Sequence, residues 1–417
     1  MIQIKKEWIS KILITLLMFT YFIPNFSSID RIGNQWFYLS IICFLSFIFI
    51  ITEANLYSNI KSIVFDKTNG FYLIFIIWAL LSITYSFNMT EAIVTFNQYF
   101  TIFASFITLK ILLINISEGT RFILKLLLVL LFLEVAMSLI PILVDLEKGT
   151  LESRSFTYSG AAANVNITAF SLLYKTPILL YFFTIEKRVF LKFIYLLIFS
   201  STFLIITILG TRGAFIGMGI CLFSYGLYLF KSEKKSINKI KNFGYVILST
   251  FIIFSISLGV SAKGEDIISR ASTIRLDTTD GSVNQRLRYY QQGLNHFLEN
   301  PLLGVGIGNW KLFSIEYDKQ DIDGYIVPYH AHNDFIQLLV ELGFLGLLFY
   351  SLFIFYSTRK LFKMDLFNDK INFLFMGIAA IYLLDSLLNF PIARPISQLF
   401  LISFLCLISL YRKKSYD

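Results

Sequence analysis

Run after run of this chain stays apolar for roughly 17–25 residues before a charge appears, the length an α-helix needs to cross a bilayer. Such runs leave few ways to fold. β-Barrel strands would be shorter and would alternate apolar with polar residues, so the expected class is an all-α integral membrane protein. The composition agrees. Of 417 residues, 56% are hydrophobic and 15% charged, where soluble domains carry about 25% charge. About 12 transmembrane helices are expected, near 9–24, 36–52, 70–87, 96–116, 121–144, 166–185, 189–209, 213–230, 243–260, 334–357, 371–388 and 395–411. The first could pass for a signal peptide, since Lys5, Lys6 and Lys11 precede its apolar stretch. "FIPNFSSID" follows it without a small-x-small cleavage pattern, so it reads as a retained anchor.

Lys and Arg in the short loops orient the chain. With the N-terminus in the cytoplasm, the inner segments hold 23 of the 36 basic residues. The short outer loops hold Arg31, Lys148, Arg154, Arg212 and Arg394. Both termini are therefore expected in the cytoplasm. The net charge of +9 is mostly positive-inside bias and gives no reason to expect nucleic acid as a partner. Cys43, Cys221 and Cys406 all fall within apolar spans and read as small buried hydrophobes, not as a disulfide framework or a metal site.

The whole chain, 1–417, is expected to form a single polytopic membrane domain. One feature breaks its up-and-down pattern: a large extracytoplasmic loop, 261–333, between spans 9 and 10. A loop of that length is usually functional or disordered. This one carries aromatics and helix signals, which favours function. Within it, "SVNQRLRYYQQGLNHFLENP" reads as an amphipathic helix with Leu287, Tyr290, Leu294, Phe297 and Leu298 on one face, ended by Pro301. Then "LLGVGIGNW" places Gly304, Gly306 and Gly308 at alternate positions. That pattern fits a weak phosphate nest or simply a flexible loop. Asn333 or Asp334 is well typed to cap span 10. No internal repeat is visible, so an inverted-repeat transporter gains no support.

Several side chains could carry chemistry. Arg212 sits in the tight outer turn "LGTRGAFIG", where short outer loops avoid Arg; it reads as functional or as an interfacial anchor. Arg286 and Arg288 are two residues apart on the loop helix and point to different faces, so one of them is expected to join a site. Arginine suits a phosphate, which its fork grips with paired charge-assisted hydrogen bonds. His332 has a near-neutral intrinsic pKa and could take a proton from an attacking hydroxyl, or merely cap a helix. His330 and His332 have H-x-H spacing, but no third metal ligand is evident and His296 is far away in sequence. "DID" at Asp321–Asp323 reads as solvated loop. Glu134, Lys175 and Asp385 lie within spans, as functional charges or as partners of one another.

Taken together, "LGTRGAFIG", "NQRLRYYQQGL", "NPLLGVGIGNW" and "HAHNDFIQLLVELGFLGLL" resemble the O-antigen ligase and O-antigen polymerase superfamily of bacterial membrane glycosyltransferases. The resemblance covers roughly 200–350 in motif detail. "NFPIARP" is similar to the family's last outer turn. Where relatives often carry Trp in the loop-helix motif, this chain has Tyr289–Tyr290.

The resemblance implies a GT-C-like fold in the bacterial inner membrane, with a periplasmic site. The implied reaction moves a glycan from undecaprenyl diphosphate to a hydroxyl acceptor such as a lipid A–core sugar, without metal or nucleotide cofactor. It implies catalytic roles for Arg212, Arg286 and His332. Their neighbours Arg288, Asn333 and His330 are expected as substrate-binding positions, or, for His330, as a residue that only shapes the turn. The expected partners are the lipid-linked glycan, the acceptor and membrane lipid. Rival readings are a polysaccharide polymerase, a protein O-oligosaccharyltransferase and, from another class, a small-solute transporter, which would predict symmetry and broken mid-membrane helices.

Overall fold

The computed structural model describes residues 2–24, 31–152, 154–231, 237–260, 281–318, 328–363 and 370–411. All of their regular structure is helical. In chain order come α1 (Ile2–Phe19), α2 (Arg31–Thr52), α3 (Ala54–Val64), α4 (Lys67–Ser82), α5 (Met89–Ile114) and α6 (Gly119–Lys148). Then follow α7 (Val165–Ile185), α8 (Val189–Leu209), α9 (Arg212–Phe230) and α10 (Ile237–Val260). The last five are α11 (Gly281–Glu299), α12 (Trp310–Asp318), α13 (Asp334–Lys363), α14 (Ile371–Leu388) and α15 (Pro395–Leu410). Asp321–Asp323 lies outside the described residues.

Ten of these helices are long and apolar enough to cross a membrane. The two further expected spans form as helices but fall short of that standard. α1 carries Lys5, Lys6, Glu7 and Lys11. α15 has 16 residues, about 24 Å at 1.5 Å per residue, against a hydrocarbon core of about 30 Å. α3 is a short amphipathic helix in the connection between the expected spans 36–52 and 70–87.

The chain divides into two compact units. The first comprises Met1–Thr120, Leu276–Lys360 and Ser386–Tyr411. Its centre is aromatic: Tyr72 stacks on Phe353 at 4.2 Å and meets Phe103 edge-on at 5.2 Å. The second comprises Arg121–Arg275, Leu361–Asp385 and Arg412–Asp417. Its central helix is α7, packed against α8 and α9. A Cβ on Gly217 would come within 2.4 Å of Leu173, so glycine lets these helices approach closely. Here Lys175 Nζ lies 3.0 Å from Glu134 Oε2 and 2.9 Å from Ser171 Oγ, all buried, and the Tyr174 hydroxyl donates to Asp385. The intramembrane charges are thus paired or hydrogen-bonded, as burial demands.

In the first unit, α13 breaks at Gly343, whose φ is 65°. A break inside a membrane helix frees carbonyls that lipid cannot satisfy. The segment after α11, together with Trp78 on α4, satisfies them. Val305 N–H donates to Val340 O (3.0 Å), Gly306 N–H to Glu341 O (2.9 Å), and Trp78 Nε1 to Leu342 O (2.9 Å). The alternate glycines are therefore neither a phosphate nest nor a flexible loop. They form a strap docked on the break, with Gly304 too close to Val340 O, and Gly343 too close to Leu302 O, for any Cβ. Glu341, buried in the span, locks the strap by accepting from Gly308 N–H (2.9 Å) and Trp310 N–H (3.3 Å).

α11 ends before Pro301 as expected, but its buried face differs from the expected one. Tyr289, Gly293 and His296 face inward, while Leu287, Leu294 and Leu298 are exposed. Gly293 decides the orientation, since a Cβ there would lie 2.7 Å from Ile336 on α13.

Candidate active site

The segment "HAHND" is anchored by its own Ala331, which is buried in an apolar cluster with Tyr289, Val305, Trp310 and Val340. Asn333 caps α13: its Oδ1 accepts from Phe335 N–H (3.0 Å) and Ile336 N–H (3.1 Å). Ahead of that cap, His332 adopts the left-handed region with φ 54°. A non-glycine residue there is uncommon and costs on the order of 1 kcal/mol, so its surroundings must hold it. The Tyr290 hydroxyl does so from α11, lying 3.0 Å from the carbonyls of both His332 and Leu387, which share its one proton.

Phe390 organises the imidazoles. His330 stacks on its ring at 4.3 Å with planes 17° apart, and His332 meets it at 5.0 Å and 82°. The Arg394 guanidinium carbon lies 4.8 Å from the same ring centre. Burial, then the positive charges of Arg286 and Arg394, bring the pKa of His332 down to about 4. Burial, Arg394 and His332 bring that of His330 down to about 3. Both rings are therefore neutral near pH 7. Nδ1 of each is buried without a hydrogen-bond partner among the described residues. The orientation of His332 thus comes from ring packing and backbone; no carboxylate among the described residues accepts from its Nδ1, as a triad acid would.

The two loop arginines part company as their spacing predicts. Arg286 acts on His332 and on Tyr290, while Arg288 lies against the Tyr289 ring at 5.9 Å. His296 packs against Phe313 at 4.9 Å. Among the described residues, no three His, Cys, Asp or Glu side chains form a metal-ligating group.

Arg212 belongs to the second unit. Gly210, with φ 57°, ends α8, and Arg212 opens α9 half-buried after Thr211, whose Oγ1 lies 3.2 Å from Asn166 Oδ1. Arg154 lies over Gly210, and its N–H donates to Ile208 O at 3.1 Å in the same turn.

Residues 193–351 match the family model described as O-antigen ligase. Over that segment the chain is similar to the O-antigen ligase superfamily. No curated protein matches it. The matched segment holds Arg212, Arg286 and His332; Phe390 and Arg394 lie beyond it. That likeness and the ten apolar helices together support an O-antigen ligase-like membrane glycosyltransferase in general.

Sequence reasoning passed over Phe390, Arg394, Tyr290's hydroxyl and Glu341. Arg394 carried the same signal as Arg212, an arginine in a short outer connection. Glu341 carried the same signal as Glu134, a carboxylate inside a span.

Proposed function

We propose that this O-antigen ligase-like protein transfers a glycan from undecaprenyl diphosphate to a hydroxyl of a lipid A–core sugar. The reaction takes place on the periplasmic side of the inner membrane, with both termini cytoplasmic. The observation that carries the reading is a neutral imidazole, His332, at the start of a membrane-spanning helix and under the charge of Arg286, inside the matched segment.

In this mechanism the acceptor oxygen attacks the anomeric carbon of the donor sugar. Its proton passes to His332 as the new C–O bond forms. The bond from that carbon to the diphosphate oxygen breaks, and undecaprenyl diphosphate leaves with the electron pair. Arg286 neutralises charge growing on the leaving oxygens. Arg212 takes a similar role on the strength of the resemblance alone. Arg288, His330 and Asn333 border the site, with Asn333 acting through the cap that fixes His332. Attack opposite the leaving group inverts the anomeric centre; NMR of the product showing the donor's own anomer would contradict this.

The free site is poised against proton uptake by its own cations. A bound diphosphate supplies negative charge that raises the pKa of His332 from about 4 toward the working range of a base.

Gel analysis of lipopolysaccharide from a deletion strain tests the function. Bare lipid A–core with long glycan accumulating on undecaprenyl diphosphate is expected. Core capped with one repeat would make the protein a polymerase, and an unchanged profile would refute a role in lipopolysaccharide.

A further inference from the structure

The turn between α14 and α15, "NFPIARP", brings two groups to the cluster that contains His332. It is rigid. Pro391 and Pro395 fix the backbone at both ends. Ala393 N–H donates to Phe390 O (3.1 Å), Arg394 N–H to Pro391 O (3.1 Å), and Gln398 Nε2 to Pro391 O (3.2 Å). The turn is also tied to the start of α13, where Ile392 N–H donates to Asp334 Oδ2 at 3.2 Å. Phe390 and Arg394 are therefore fixed relative to "HAHND", with the Phe390 ring bearing a stacked imidazole, an edge-on imidazole and a guanidinium.

We propose that Arg394 is a further binding group for the diphosphate of the lipid donor, and that Phe390 is the positioning residue that sets Arg394 and His332 around one ring. This rests on reading the protein as a transferase that acts on a lipid diphosphate. Three features support it. First, the positive charges of Arg286 and Arg394 both fall on His332, and gathering like charges costs free energy that a bound anion offsets. Second, a planar guanidinium held by an aromatic ring loses less freedom on gripping a phosphate than a mobile one. Third, an arginine in a short outer connection runs against the charge bias of the rest of the chain.

The test uses the full-length protein in nanodiscs, with farnesyl diphosphate as binding probe and farnesyl phosphate as control. Arg394→Gln is expected to weaken farnesyl diphosphate binding at least about tenfold, with a smaller effect on the monophosphate. Arg394→Lys, which keeps charge but loses the fork, is expected to fall between. It also serves as the folded reference if Arg394→Gln proves unstable.

Losing a cation favours protonated His332, so the acid limb of kcat/KM is expected to move to higher pH in Arg394→Gln. Arg286, His330 and Tyr290, the other groups around that ring, are unchanged in the variant. Phe390→Leu is expected to lower kcat more than it raises KM. Unchanged diphosphate affinity and an unmoved acid limb in Arg394→Gln, with wild type binding and transferring normally, would overturn the proposal. A wild type that neither binds farnesyl diphosphate nor transfers glycan would instead overturn the transferase reading, and the proposal with it.

Discussion

As the proposed base, His332 would meet opposing demands. It would have to be neutral to accept a proton, yet basic enough to hold one in the transition state. With its pKa near 4 in the free protein, kcat/KM is expected to fall only as pH drops toward 4, since protonation removes the base. The acid limb of kcat reports the donor complex, where the diphosphate favours the protonated ring, so it is expected at higher pH. Steady-state rates from pH 4 to 8 check both, and coincident limbs would contradict a base seated beside the diphosphate. Tyr290→Phe removes the hydrogen bond that steadies the left-handed turn. It is expected to lower kcat several-fold while leaving farnesyl diphosphate binding within about twofold. The types and motif context of Arg212, Arg286 and His332 were legible in the sequence. Phe390 was not, because an aromatic at the end of an apolar span has no signal until the chain folds it beside residues about sixty positions away.

The broken helix α13 and its strap form one device. Leaving a buried backbone donor without its acceptor costs about 1–3 kcal/mol. Glu341→Gln loses at least one of the two backbone donors, Gly308 or Trp310, and is expected to cost about 2 kcal/mol, read as a lowered midpoint of thermal unfolding in detergent. Gly343→Ala puts a Cβ 2.2 Å from Leu302 O at a φ of 65°, so it should displace the strap and cost more than Glu341→Gln. An equally stable Gly343→Ala protein would show the strap to be dispensable. The alternate glycines were visible in the sequence, but their purpose was not. Glycine spacing says that backbones come close without saying to which other backbone. The face of α11 was misread for a related reason. Helical periodicity favours leucine as the buried residue, but the close approach to Ile336 that only Gly293 allows turns the helix the other way.

At the scale of the whole molecule, hydropathy sufficed for the class and for most of the spans. Ten of the twelve expected spans are long and apolar enough to cross a membrane, while the first carries four charges and the last, α15, is short. The second unit depends on charges that hydropathy only flags. Lys175→Met leaves Glu134 buried and unpaired and is expected to destabilise that unit by about 3–5 kcal/mol; adding Glu134→Leu should restore most of the loss, as thermal unfolding of both variants will show. In the proposed mechanism His332 takes the acceptor proton while a lipid diphosphate leaves. The most direct test of that step is transfer by purified protein in nanodiscs, from undecaprenyl-diphosphate-linked glycan to lipid A–core. His332→Asn is compared with wild type, because asparagine tolerates the left-handed backbone of this position but offers no base. The expected result is release of undecaprenyl diphosphate in step with glycan transfer by wild type, and a rate lower by about 10²–10⁴-fold in His332→Asn. A His332→Asn protein that transfers at the wild-type rate would contradict the account.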